Sequence, residues 1–290
     1  MTRLVVTGDD FGLSPSVNRA ICEAYDRGIL TCASLMVGAP AAAEAVTLAR
    51  ARPELAVGLH LTVVDGFAAS PRRAVPRLAG PDGRLRASPW HAGLVYQFSQ
   101  PARTELALEI RRQLELFRET GLHLSHVDGH HHMHLHPVVL RLLVGLAREF
   151  RIRWVRVPSD DLGLALKTRP RAAATALASA AAFAALRRSA RRRLSAVGIR
   201  FADRVYGLHA TGRLREEDLL RLLPRVRGDV AEIYCHPGAS SGVPARDEEL
   251  EALLSKRVRT AITAQGLRLG RFAAAGWAPA PRASGVLRST

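Results

Sequence analysis

At 290 residues with 48% hydrophobic side chains, the chain can fill one substantial core, and a single domain is expected. The formal charge of +16 fits a phosphate-rich partner, but the arginines are mostly scattered and no zinc-finger, RNA-binding or basic-zipper pattern accompanies them, so no nucleic-acid partner is expected. Cys22, Cys32 and Cys235 form no metal-spaced pair and their odd number argues against a disulfide scaffold, while no uninterrupted apolar run of about 20 residues offers a membrane span.

The first strand candidate, Leu4-Val5-Val6, runs into Gly8-Asp9-Asp10. It is too short for a secretory signal and is interrupted by acid, which makes the cytoplasm the expected location. Ser14 before Pro15 is a plausible N-cap for a helix over Pro15–Arg27. A strand over Thr31–Val37, a helix over Ala41–Ala51 and a strand over Ala56–Leu59 follow, the last running into His60. After a helix over Thr104–Glu119, a short apolar stretch leads into Val127-Asp128-Gly129-His130-His131-His132-Met133-His134-Leu135-His136. A helix over Val138–Glu149 and a strand over Ile152–Val157 come next. The Ala-rich run Ala172–Ala185 precedes Arg187, Arg188, Arg191, Arg192 and Arg193; on a helix, Phe183, Leu186, Ala190, Leu194 and Val197 share one face. Such a pattern suits either a packed surface helix or peripheral contact with an anionic membrane. The last strand candidate, Val230–Tyr234, ends at Cys235-His236-Pro237-Gly238, and the tail from about Gly276 has the composition of a mobile segment.

Strands separated by helices predict an α/β protein: a single-domain (β/α) barrel-like fold with mainly parallel strands, whose closure the strand count does not fix. The domain is expected over residues 1–275, including an Ala/Arg-rich helical insertion at about 165–200, with 276–290 as the tail. In such folds ligands gather at the carboxyl ends of the strands, so four polar strand ends make one candidate cleft.

That cleft holds metal-type chemistry. Asp10, His60 and His130 supply one carboxylate and two imidazoles, leaving positions for water and a substrate carbonyl. Asp9 is placed to take a proton from that water, and His236 to protonate a departing amine. Two His and one Asp suit zinc, while water-rich coordination also admits magnesium, manganese or cobalt. His132 or His134 could replace His130 in the shell. Each residue also has a plainer role: Asp9-Asp10 as a helix cap, His60 as a core histidine, His236-Pro237-Gly238 as a turn, Cys235 as packing or, less simply, a nucleophile.

The segments Thr7–Ser14, Gly58-Leu59-His60-Leu61, His126–His134 and Tyr234-Cys235-His236-Pro237-Gly238 resemble the ordered motifs of YdjC-like carbohydrate deacetylases, from the first strand to about residue 265. That resemblance implies a barrel-like enzyme removing acetyl groups from N-acetylglucosamine-type sugars with one divalent metal ion, zinc or magnesium. It implies Asp10, His60 and His130 as ligands, Asp9 as base and His236 as candidate acid. Gly8 and Gly129 stand where the family often has Ala and Ser, and both changes leave the chemical groups in place. The opening Asp9–Asn18 and Trp154-Val155-Arg156-Val157-Pro158, followed by the Ala- and Arg-rich stretch, most resemble the hopanoid-biosynthesis (HpnK-type) deacetylases. The implied substrate is then an N-acetylglucosaminyl lipid, which adds a peripheral place at the inner membrane to the cytoplasmic expectation. An acetylated chitooligosaccharide is the alternative, and a non-enzymatic metal-binding protein a third reading. Arg156 could hold Asp9, Asp128 could orient a histidine, and Tyr206-Gly207-Leu208 and Trp90–Phe98 could line the cleft.

Overall fold

The computed structural model describes residues 1–159, 173–208, 214–238, 245–273 and 276–279. Its sheet comprises β1 (Arg3–Phe11), β2 (Cys32–Leu35), β3 (Ala56–Leu61), β4 (Val127–Gly129), β5 (Arg204–Tyr206), β6 (Val230–Cys235), β7 (Arg268–Ala273) and β8 (Gly276–Pro279). Six strands run parallel in the order β4-β3-β2-β1-β6-β5 and curl into a half-barrel. β1 is buried at every position after Arg3 because both its edges are occupied. β6 lies along one edge from Arg3 to Gly8; on the other, β7 pairs with Arg3–Val5 and β2 with Thr7, Gly8 and Phe11.

The alternation of β1 sorts the interior by chemistry. Leu4 and Val6 point outward into the main core with Val17 and Ile21. Val5 points the other way, into a small apolar floor with Cys32, Trp154 and Phe272. Thr7 and Asp9 continue that inner row as buried polar groups. The lumen of the half-barrel is therefore apolar at the base and polar at the carboxyl end of the strands.

The helices are α1 (Pro15–Asp26), α2 (Ala42–Arg50), α3 (Pro89–Phe98), α4 (Gln100–Glu119), α5 (Pro137–Leu146), α6 (Ala173–Ala196), α7 (Glu216–Leu222), α8 (Ala245–Leu254) and α9 (Lys256–Ala264). Serine hydroxyls start four of them: Ser14, Ser88, Ser99 and Ser255 accept from the amides of Val17, His91, Ala102 and Val258. The Ser99 cap and Pro101 begin α4 four residues before the predicted Thr104, a start that apolar periodicity does not register.

The strand predicted over Ile152–Val157 is reduced to two bridging residues. Val155 pairs with Val127, Trp154 with Arg200, and left-handed Arg151 and Pro158 bracket the segment. It nevertheless joins the two sheet edges, since the Val127 amide donates to Trp154 and the Val205 amide donates to Ser159 Oγ at 2.7 Å. Of the insertion expected at about 165–200, residues 165–172 lie outside the described residues, and α6 occupies most of the remainder. Its side chains divide between the core and solvent. Ala190 and Leu194 are buried in the main core, and Arg191 stacks over Phe201 while donating to the Asp203 carbonyl at 2.7 Å. Arg188, Arg192 and Arg193 stay exposed; the side chain of Phe183 lies outside the described residues. Gly276–Pro279, at the head of the expected tail, pair with β7, and 280–290 lie outside the described residues. Among the described residues no helix is long and apolar enough to cross a membrane.

Gly58 is fixed by packing, because a Cβ there would lie 2.4–2.6 Å from three atoms of the buried His126 ring. Gly58→Ala should cost about 1–3 kcal/mol by overpacking. Gly145→Ala, on a helix with open space around it, should be neutral or stabilising. Urea midpoints of the two variants check this; equal stability for both would show that His126 can move aside.

Candidate metal and catalytic centre

Asp9 and Asp10 are consecutive strand residues and would ordinarily face opposite sides of the sheet. A register irregularity between Gly8 and Phe11, with Asp10 at φ 63°, breaks that alternation and lets both carboxylates serve one site. Asp10 Oδ1 lies 3.2 Å from His130 Nδ1 and 3.4 Å from His60 Nε2. The three candidate donor atoms lie within 4.8 Å of one another. Ligand atoms about 2 Å from a shared ion have spacings of this kind, so the donor set fits a divalent metal.

His60 and Asp128 belong to β3 and β4 themselves rather than to the loops beyond them. His60 Nδ1 donates to Asp128 Oδ1 at 2.8 Å, which directs Nε2 toward Asp10. This is the carboxylate–histidine arrangement that orients metal ligands. Burial opposes charge on His60, but Asp128 and Asp10 overcome it and push the imidazole up to about 10. Burial likewise opposes charge on Asp10, yet hydrogen bonds from His130 and His60 hold its carboxyl well below the usual range. A cation and a proton therefore compete for one position between these groups.

Beneath the triad, the buried Arg156 guanidinium joins three carboxylates. Nη1 and Nη2 grip Asp9 at 2.6 and 2.8 Å, Nη2 lies 2.7 Å from Asp128 Oδ2, and Nε donates to Glu232 Oε1 at 3.0 Å. Its plane lies over the Tyr234 ring, 4.6 Å from the centroid. Ser34 Oγ completes Asp128 at 2.7 Å, and Thr7 Oγ1 donates to Glu232 at 2.8 Å. Burial pushes the Glu232 carboxyl up despite Arg156. His236 Nε2 stands 3.9 Å from Asp9 Oδ2 on the side of β6.

The remaining expected participants have other work. His134 Nε2 donates to the Arg156 carbonyl at 2.8 Å, His132 Nε2 meets Tyr234 Oη at 2.9 Å, and His131 Nε2 pairs with Asp65 at 3.1 Å. Burial holds His134 down to about 4, so it is neutral near pH 7. Cys235 Sγ donates to the Thr7 carbonyl, and burial pushes its thiol well up, which disfavours a thiolate nucleophile. Tyr206 packs into the main core and its hydroxyl donates to the Arg225 carbonyl. α3 meets His136 with its Tyr96 face but exposes Trp90, Leu94 and Phe98. Glu232, Ser34 and His126 were not expected. A charge inside the apolar run Val230–Tyr234 is a usable signal for Glu232, and the place of His126 at the head of the motif His126–His134 is one for it, whereas Ser34 carries none.

A family model for YdjC-like proteins matches residues 3–264. The chain belongs to the YdjC-like family. A carbohydrate deacetylase of Geobacillus stearothermophilus is 31% identical over 91% of this chain and 94% of its own length. A chitooligosaccharide deacetylase of Klebsiella pneumoniae is 30% identical over 93% of this chain and 97% of its own. A crystal structure from Enterococcus faecalis V583, titled for cellobiose-phosphate cleavage, superposes with a TM-score of 0.69 over 93% of this chain and 97% of that one. At 24% identity it speaks for the fold alone.

In this YdjC-like chain, Arg156→Leu leaves three buried carboxylates without their shared cation and should destabilise by about 3–5 kcal/mol. Denaturant melts read this directly; a loss under about 1 kcal/mol would mean that the carboxyls take up protons at little cost. Asp128→Asn should keep the fold but weaken divalent-metal affinity by about 10–100-fold, because His60 loses its orienting charge. Titration with zinc under metal-buffered conditions measures it, and unchanged affinity would remove Asp128 from that role.

Proposed function

We propose that this chain is a metal-dependent carbohydrate N-deacetylase that acts on an N-acetylglucosaminyl group carried by a hopanoid glycolipid. The observation that carries the reading is the meeting of Asp10, His60 and His130 beside Asp9 and His236 at the carboxyl ends of β1, β3 and β6 and in the turn after β4. The relatives named as a carbohydrate deacetylase and a chitooligosaccharide deacetylase, matched over 94% and 97% of their own lengths, support the reaction class. The resemblance of Asp9–Asn18 and Trp154–Pro158 to hopanoid-type members supports the lipid acceptor.

Asp10, His60 and His130 would hold the ion, which supplies polarisation of the acetamide carbonyl and a lowered water pKa. Asp9, tethered through both oxygens by Arg156, is positioned to take the proton of the attacking water. Water oxygen bonds to the acetyl carbon, the C–N bond breaks, and His236 delivers a proton to the nitrogen. The products are acetate and the free amino sugar. Arg156 and Asp128 are positioning residues, since each acts through Asp9 or His60.

Asp9→Asn should retain bound metal while turnover falls by about 10²–10⁴-fold. His236→Ala should slow turnover with metal retained. Metal analysis beside acetate release separates the roles: full activity of Asp9→Asn removes Asp9 as base, and loss of the ion from His236→Ala moves His236 into the ligand set.

The second reading, a soluble chitooligosaccharide as substrate, is favoured by the Klebsiella relative's name. Metal-defined protein incubated with N-acetylglucosaminyl hopanoid and with chitooligosaccharides decides between them by the acetate released. Preference for the hopanoid supports the lipid reading. Preference for the oligosaccharide replaces it, and acetate from neither rejects both substrate assignments.

A further inference from the structure

Helix α3 carries three large apolar side chains in the open. Trp90 is 84% exposed, Leu94 59% and Phe98 77%. Spaced four residues apart, they form one stripe along the helix. The opposite face is anchored: Ala92 and Tyr96 are buried, and the Tyr96 ring stands edge-on to His136 with centroids 6.2 Å apart. The Tyr96 hydroxyl donates to the carbonyl of Val63, two residues beyond the end of β3. Both anchors belong to chain that leaves the carboxyl ends of β3 and β4, so the stripe stands on the rim of the candidate site.

The stretch of chain that carries the stripe, between Asp82 and Glu105, is basic. From Gly83 to Thr104 the chain has no acidic residue and carries Arg84, Arg86 and Arg103, within a protein of formal charge +16. Tryptophan, phenylalanine and leucine on one face of a helix, in a strongly basic chain, are the composition of a helix that lies in the boundary between lipid head groups and acyl chains. Arginine near an anionic bilayer adds attraction that reaches about one Debye length. α6 offers less: its Leu194 is core and its Arg191 is held by Asp203 and Phe201.

We propose that α3 is an interfacial helix that docks this chain on an anionic lipid surface, with Trp90, Leu94 and Phe98 entering the acyl boundary. The inference rests on the glycolipid reading of the site. It gives that reading an orientation, with the Asp10–His60–His130 end turned toward the membrane that holds the substrate.

The test uses the full chain with phosphatidylcholine vesicles, with and without phosphatidylglycerol. Trp90 emission should shift to the blue on anionic vesicles and be quenched by brominated acyl chains. Trp90→Phe should lose that signal while still co-sedimenting. The triple variant Trp90→Ser, Leu94→Ser, Phe98→Ser should lower vesicle partitioning at least about tenfold, and should slow release of acetate from a vesicle-held acetyl-glycolipid. Turnover of a short soluble acetyl-sugar should stay within about twofold of the parent, which also reports that the fold is intact. Parent-like vesicle binding by the triple variant overturns the proposal. So does loss of binding on replacing Arg188, Arg192 and Arg193 by Ser with α3 untouched. A parent that fails to bind vesicles and turns from dimer to monomer in sedimentation when the stripe is replaced would also overturn it, marking the face as a contact between copies. Failure of the deacetylase reading appears separately, as no acetate from any substrate by the parent, because vesicle binding is scored without turnover.

Discussion

The guanidinium of Arg156 decides whether the carboxyl end of this sheet can exist as built. Asp9, Asp128 and Glu232 come from three different strands and are all buried, an arrangement that costs several kcal/mol per ion unless a cation and hydrogen bonds compensate it. A planar fork can grip Asp9 with two nitrogens and still reach the other two carboxylates; a lysine, a single point charge, cannot. Everything above Arg156 follows. Asp9 is held facing the site, Asp128 is held facing His60, and His60 in turn presents Nε2 to Asp10. The segment that carries Arg156 also ties the two edges of the sheet together, so the charge network and the curl of the half-barrel share one short stretch of chain.

The chemistry of the site was legible in the sequence because it falls where apolar strands turn polar. Asp10, His60, His130, Asp9 and His236 each stand at or next to the end of an apolar stretch, and parallel strands bring such ends together. The barrel-like parallel fold could be inferred on the same grounds, whereas the family was legible through the resemblance of four ordered motifs. What escaped was set by geometry that residue types do not encode. The irregularity at Asp10 that points two adjacent carboxylates into one site has no sequence mark. Ser34 reads as an ordinary strand residue until its hydroxyl is seen to bridge His126 Nε2 and Asp128 Oδ2. On α6, periodicity groups Phe183, Leu186, Ala190, Leu194 and Val197 on one face, of which Ala190 and Leu194 are buried and Val197 is exposed, but it does not say what that face meets. Ala190 and Leu194 meet the core, and Arg191 is taken up by the chain before β5.

The histidine run has a further logic that a count of imidazoles obscures. His131 and His132 both adopt left-handed backbone, at φ 52° and 56°, inside the tight turn that links β4 to α5. Such a conformation costs about 1–2 kcal/mol per residue and persists only where the surroundings hold it. Here every ring has its own destination: His130 Asp10, His131 Asp65, His132 the Tyr234 hydroxyl, His134 the Arg156 carbonyl and His136 the Tyr96 ring. Two consecutive left-handed residues splay neighbouring side chains that a regular helix would stack on fixed faces. One ring thus reaches Asp10 while another braces the backbone of Arg156, the residue that fixes Asp9. The run therefore supplies one candidate metal ligand together with part of the frame that positions it. Replacing one of these histidines by another is chemically conservative only in composition, since each position faces a different partner.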